Sequence, residues 1–252
     1  MREEFSAHGE DAVITRLLAQ LPQIERSCVD LAASDGVNLS NTLRLYRDGW
    51  SGLAFDADSA LFAHLAATHR RSPQVALVRT FVDPQNVCAL LSAHRISATF
   101  GFLNLDIDSY DYFVLEALLE TYRPTLICTE IQEIIPPPVR FAVKYSDVFE
   151  PKNPHFFGHS LSQVSELLRR SGYDLAAVHY NNAFFVERGH GIRSLDDETA
   201  FREGYVEQPD RTSRFAYNAE YDELLEADPA VVVDRLKNLY AGERPGSYTL
   251  EA

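Results

Sequence analysis

Five short apolar runs, separated by amphipathic stretches and each ending in or followed by a carboxylate, constrain this chain more than any other feature. They are Ser27 to Ala33, Leu53 to Phe55, Val75 to Val82, Phe100 to Ile107 and Thr125 to Ile131. Such runs suit strands of a parallel sheet, which is covered on both faces and so loses polar alternation. Helical spacing fills the gaps: Val13, Leu17, Leu18 and Leu21 before Pro22, then Leu43, Leu45 and Tyr46 behind a Ser40 cap. Leu61 to His69, Asn86 to His94 and Phe113 to Leu119 continue the pattern. The β-α-β rhythm predicts an α/β domain with a mostly parallel sheet and helices on both faces.

Beyond the fifth run, Pro136-Pro137-Pro138 lacks amide donors and predicts a loop over the open face of the sheet. Val164, Leu167 and Leu168 mark a helix stopped near Gly172. Leu175 to Val178 and Ala183 to Val186 then read as a hairpin turned at Asn181-Asn182, an antiparallel edge on the parallel sheet. From Glu187 the segments become acidic and amphipathic, with Tyr221, Leu224 and Leu225, then Val232, Leu236 and Leu239, on helical faces. The expected organisation is one domain over 1–190 and an acidic helical extension over 191–252, a lid, a dimer contact or a helix pair on the domain's back.

The 252 residues are 46% hydrophobic, which is enough for a sizeable core. Lys and Arg number 23 against 37 for Asp and Glu, a formal charge of -14. That surface repels phosphodiester backbones and anionic lipid, so the expected partner is a small molecule, with a homodimer as a candidate assembly. Cys28, Cys88 and Cys128 show no CxxC spacing and read as buried reduced thiols, which points to a cytoplasmic setting. Met1 to Asp11 is charged, and no run approaches the roughly 20 apolar residues of a membrane-spanning helix. A soluble protein is expected.

In an open parallel sheet, ligands lie beyond the carboxyl ends of the strands. Here those positions carry Asp30 and Asp35-Gly36, Asp56 and Asp58, Asp83, Asp106 and Asp108, and Glu130. A carboxylate after the second strand can accept both hydroxyls of a ribose. Ala32-Ala33-Ser34-Asp35-Gly36 has a single glycine and makes no GxGxxG cradle for a pyrophosphate. A nucleoside without phosphates fits better, and the sulfonium of S-adenosylmethionine suits an acidic pocket. Taken singly, each aspartate also reads as a helix cap or turn residue.

Several of these residues fall into a recognisable order. His8-Gly9-Glu10-Asp11, Cys28-Val29-Asp30-Leu31 leading to Asp35-Gly36, Ser40-Asn41-Thr42 and Gly49-Trp50-Ser51-Gly52-Leu53 resemble the opening of the FkbM-like class I methyltransferases. Asp106-Ile107-Asp108-Ser109-Tyr110-Asp111-Tyr112, Glu130 and Gly158-His159-Ser160-Leu161 resemble later blocks of that family. The likeness spans roughly residues 5 to 187 and implies a seven-stranded Rossmann-like methyltransferase. It implies Asp35, Gly36 and Asn41 around the methionine portion of the cofactor, Asp56 at the ribose and Asp83 facing the adenine amino group. The chain departs from the pattern at Asp30, where relatives commonly have Glu, and at Ser109, where they often have Gly.

Asp106 and Asp108 share a side of a regular strand and, with Glu130, offer hard oxygens for Mg²⁺ or Ca²⁺. The run also resembles the metal-binding acidic loop of macrocin O-methyltransferase-type enzymes, which implies an ion that orients and acidifies a substrate hydroxyl. Alternatively, Asp108 and Asp111 cap the following helix. Candidate bases for an acceptor proton are Asp106, His159 and His155, and Tyr145, His155, Asn181 and Asn182 are candidate acceptor contacts.

The expected activity is methylation, on oxygen or nitrogen, of a small polar metabolite in natural-product or sugar tailoring. One rival is a haloacid-dehalogenase-like phosphatase using Asp106 and Asp108, although that motif belongs at a first strand and Tyr110 replaces its usual Thr or Val. A non-catalytic methyltransferase-shaped binding protein is the other.

Overall fold

The computed structural model describes residues 4–21 and 23–252, so Pro22, the expected stop of the first helix, lies outside the described residues. Its α-helices are α1 Glu10–Leu18, α2 Leu43–Arg47, α3 Ser59–Thr68, α4 Val87–Ala93, α5 Asp111–Leu118, α6 Leu161–Arg170, α7 Asp197–Phe201, α8 Arg211–Arg214 and α9 Pro229–Leu239. Its strands are β1 Ser27–Asp30, β2 Ser51–Asp56, β3 Val75–Arg79, β4 Phe102–Leu105, β5 Leu126–Glu130, β6 Arg140–Val143, β7 Tyr173–His179, β8 Asn182–Glu187 and β9 Tyr248–Glu251. A π-helix spans Arg202–Val206 and a 3-10 helix Ala216–Glu226.

Seven strands form one sheet in the order β3-β2-β1-β4-β5-β8-β7, and β6 pairs with β9 in a second. The pairings β3-β2, β2-β1, β1-β4 and β4-β5 are all parallel. β8 runs antiparallel to β5, since Ile131 donates to the Asn181 carbonyl and Glu187 to that of Thr125. The expected hairpin is therefore present, turned at Tyr180 and Asn181, with its antiparallel strand one place in from the edge. The mixed, mostly parallel α/β class expected from the rhythm is the class observed.

The chain divides into two compact units. The first comprises residues 1–107, 114–129 and 186–192. Its strands β1 and β4 are buried throughout, polar Asp30 and Asn104 included, as strands covered on both faces are. Gly52 and Gly101 have no room for a side chain, since a Cβ there would lie about 2 Å from the Cys28 and Glu25 carbonyl oxygens respectively.

The second unit comprises residues 108–113, 130–185 and 193–252. Its core gathers Ile134, Ile135, Phe141, Phe156, Leu236 and Tyr240 among others, so the segment after β5 is packed inside with the carboxyl-terminal residues. Phe141 stacks on Tyr240 with ring centroids 5.2 Å apart. Pro136, Pro137 and Pro138 lie outside any helix or strand, as expected, and the chain then passes into β6, whose partner β9 lies more than a hundred residues on. The extension is correspondingly not helical to its end. None of the three cysteines is in a disulfide, but only Cys28 and Cys128 are buried, and Cys88 is half-buried beside the Ala117 carbonyl. Among the described residues no helix is long and apolar enough to cross a membrane.

Candidate functional site

At the carboxyl ends of β1 and β4 lies a connected set of buried polar side chains. Asp30 ends β1 with 1% of its surface exposed. Thr42 Oγ1 donates to its Oδ2 at 2.6 Å and Asn104 Nδ2 to its Oδ1 at 3.0 Å. Asn41 Nδ2 in turn donates to Asn104 Oδ1 at 3.0 Å. Burial pushes the Asp30 carboxyl above its usual range, only partly offset by the Thr42 and Asn104 hydrogen bonds. Its side-chain partners are thus neutral donors, the setting in which an added positive charge gains most. Thr42 and Asn104 were missed by sequence reading, although Asn104 is the one polar residue within Phe102–Leu105.

The loop after β1 is fixed by its own side chains. Asp35 Oδ1 accepts from the Val37 and Asn38 amides, each at 2.8 Å, and its Oδ2 from Asn38 Nδ2. These bonds outweigh the effect of partial burial and hold its carboxyl below the usual value. Gly36 takes φ +75°, where an added Cβ would sit 2.6 Å from Leu65 Cδ1 of α3, so both backbone and space require glycine. Asp56, at the end of β2, accepts from the Asp58 amide at 2.8 Å and from that of Ser34, tying the β1 loop to the β2 end. Burial raises its carboxyl.

Two of the aspartates do local work. Asp58 caps α3 through the Ala60 and Leu61 amides at 2.8 and 2.9 Å. Asp83 accepts from the Gln85 and Asn86 amides through Oδ1 and from Asn86 Nδ2 through Oδ2, closing the turn before α4.

Asp106, Asp108 and Glu130 each offer a carboxylate oxygen, all within 4.8 Å of one another. Asp108 takes φ +53°, off the regular strand assumed for it. It is exposed to solvent, yet enclosed enough that desolvation raises its carboxyl, which also bonds Glu130. Asn181 Nδ2 donates to Glu130 Oε1 at 2.6 Å. Three clustered oxygens fit part of the shell of a hard cation, and two of the carboxyls already satisfy each other directly. Asp111, in the first turn of α5, accepts from the amide of Ser109, two residues before it, at 3.0 Å, so this bond fixes the approach to the helix and does not cap its first-turn amides.

His159 is not in an open turn. It has zero exposure, its carbonyl accepts from the Gln132 amide at 2.8 Å, and its ring lies edge-on to Tyr112. Burial pushes its imidazole down to about 4. Tyr145 bonds Asp147 and meets Tyr110 edge-on, and Asn182 is buried in β8.

His155 is half-buried and tightly held: its amide donates to Asn153 Oδ1, while Gln132 Nε2 and the Tyr240 hydroxyl donate to its carbonyl. A polar cluster that no local signal announces lies around Glu133. This residue is 3% exposed and its Oε1 accepts from Asn218 Nδ2 at 2.6 Å. Burial raises the Glu133 carboxyl. Tyr205 beside this group is pushed up to about 12 by burial and then by Glu133.

No family model and no curated protein sequence matches this chain. Among solved structures it is similar to magnesium protoporphyrin IX methyltransferase from Synechocystis with bound SAM, at 10% identity and TM-score 0.46, over 70% of this chain and 77% of that one. It is similar to the N-terminal domain of EvdMO1 with SAH bound, at 11% identity and TM-score 0.45, over 73% and 82%. A SAM-dependent methyltransferase from Aquifex aeolicus matches at 12% identity and TM-score 0.40, over 68% and 87%. At such identities and scores, likeness assigns this chain no activity.

Proposed function

We propose that the chain is an S-adenosylmethionine-dependent methyltransferase of the FkbM-like kind, acting on oxygen or nitrogen of a small polar metabolite in natural-product or sugar tailoring. The observation that carries the reading is Asp30, a buried carboxylate with neutral side-chain partners, joined through Asn104 to Asn41 at the carboxyl ends of β1 and β4. That is a receptor for the ammonium of an amino-acid group. Asp35 and Gly36 shape the neighbouring loop, Asp56 takes the ribose hydroxyls, and Asp83 keeps a lone pair for the adenine amino group.

When bound, S-adenosylmethionine supplies an electrophilic methyl on a cationic sulfur. The protein's contribution is then mostly alignment, with a base where the acceptor carries a proton. Asp106 is the accessible candidate for that base, whereas His159 is sealed from solvent. Asn181, held on Glu130, presents an amide to an acceptor hydroxyl. Residues 191–252 form an extension of the 1–190 domain in this reading. Mg²⁺ at Asp106, Asp108 and Glu130 is a second element of the proposal, favoured by the clustering of their oxygens.

Calorimetry with S-adenosylhomocysteine tests the proposal. Binding in the micromolar range, weakened about tenfold or more by Asp56→Ala, is expected. No affinity, together with magnesium-dependent phosphatase activity, would install the Asp106/Asp108 phosphatase instead.

A further inference from the structure

The block His8-Gly9-Glu10-Asp11 opens α1 with two buried carboxylates, Glu10 without exposed surface and Asp11 with 5%. Acids in a first helical turn normally stay in water, where the helix dipole already favours them. Here they spend their oxygens on the chain before the helix. Glu10 Oε2 accepts from the His8 amide at 2.7 Å and Asp11 Oδ2 from the Phe5 amide at 2.8 Å, while the Asp11 amide donates to Ser6 Oγ at 3.1 Å. Gly9, at φ +96°, supplies the left-handed turn that folds residues 5–8 back.

The folded-back segment is seated on the turn before α2. The Phe5 carbonyl accepts from the Ser40 amide at 2.9 Å. The Phe5 ring faces the guanidinium carbons of Arg47 and Arg44, 4.5 and 5.7 Å from its centroid, and Arg44 Nε meets Asp11 Oδ1 at 3.4 Å. Backbone, ring and charge thus fasten the same segment.

That turn is the one that serves Asp30. Ser40 Oγ accepts from the Leu43 and Thr42 amides at 3.0 and 3.3 Å, which places Thr42 to donate to Asp30 Oδ2 and Asn41 to donate to Asn104. Asn41 Oδ1 is buried and has no hydrogen-bond partner among the described residues. A buried acceptor left in this state costs free energy that a bound ammonium would recover. All of these residues lie in the first unit.

We propose that Phe5 to Asp11 form a strap that positions the Ser40–Thr42 turn for the cofactor, with Phe5 as its positioning residue. The inference rests on the methyltransferase reading. The strap acts through Ser40 and Thr42 on Asp30, and through Asn41 on the amino-acid end of the cofactor. Cofactor binding and strap closure are then coupled, so each stabilises the other.

Hydrogen-exchange mass spectrometry of the full chain, with and without S-adenosylhomocysteine, tests the strap beside calorimetry. In wild type the ligand should slow exchange in peptides covering residues 4–12 as well as 38–47. Phe5→Leu, which keeps an apolar side chain but loses the ring, should weaken S-adenosylhomocysteine about fivefold and speed ligand-free exchange of residues 38–47. Phe5→Tyr keeps the ring and should stay within about twofold of wild type in both. A segment that only packs α1 would lower the melting temperature in Phe5→Leu with affinity unchanged. That result, or exchange of residues 4–12 that ignores bound ligand, would overturn the strap. Failure of S-adenosylhomocysteine to bind wild type would remove the methyltransferase reading and the strap's purpose with it. The two failures differ, since the strap alone fails when the ligand binds and residues 4–12 do not respond.

Discussion

The first unit and the second each bury a carboxyl group among neutral partners, and they do so with opposite economy. Asp30 is held by Asn104 near the end of the adjacent parallel strand β4 and by Thr42 at the start of the helix that follows β1, so its surroundings follow from β-α-β order. Glu133 is held by Asn218, 85 residues away, on a 3-10 helix of the carboxyl-terminal region. A strand end gathers polar groups by topology, whereas the second cluster exists only once the tail has folded back.

The largest expected effect tests whether the second unit's buried polar groups serve its stability. His159 is neutral when folded, with its imidazole at about 4 against an ordinary 6.5. Above pH 6.5 both folded and unfolded states are neutral there and nothing is lost. As pH falls from 6.5 towards 4 the unfolded chain takes up the proton first, so folding loses roughly 3 kcal/mol across that window. Urea denaturation at steps between these pH values should show the loss in wild type, and His159→Gln should remove this part of the slope.

Asp30→Asn probes the first unit. The substitution keeps shape and neutral hydrogen bonding but removes the charge, so S-adenosylhomocysteine should bind about thirtyfold more weakly, equivalent to roughly 2 kcal/mol. Thermal stability should hold or rise, because burial already disfavours the ionised form. Unchanged affinity with lowered stability would make Asp30 a structural group like Glu133 and erase the contrast. Asn218→Ala is the mirror test: it strips the Glu133 carboxyl of its amide donor and should cost about 1.5 kcal/mol in denaturation with cofactor affinity unaltered.

Much of the first unit was legible because its signals are local. Apolar runs gave the central strands, and the position just after each run gave the aspartates. What adjacency could not reveal is how each carboxylate spends its lone pairs: Asp30 and Asp56 join different segments, while Asp58 caps its own helix. Asp108 followed a regular strand in the sequence reading, but its left-handed backbone redirects it. The second unit was largely illegible. β6 and β9 are four-residue strands paired across more than a hundred residues, and no local turn or crossover signal links them. His159 sat in a Gly-His-Ser context that suggests a turn, yet the isolated bridge between Ala142 and His159 draws it inside.

Asp83 offers the smallest effect and the finest division between turn and ligand. Its Oδ1 is committed to the Gln85 and Asn86 amides, and one lone pair of Oδ2 to Asn86 Nδ2, leaving a single acceptor position. One neutral hydrogen bond to an adenine amino group is worth about 1 kcal/mol, or roughly fivefold in affinity. In Asp83→Asn an oxygen still closes the turn, but an NH2 faces Asn86 and the ligand. S-adenosylhomocysteine affinity should therefore fall about fivefold with the melting temperature little changed. An unaltered affinity beside a clear drop in melting temperature would show that this carboxylate serves only its turn, and would shrink the ligand-holding part of the first unit to Asp30, Asp56 and the loop between Asp35 and Asn41.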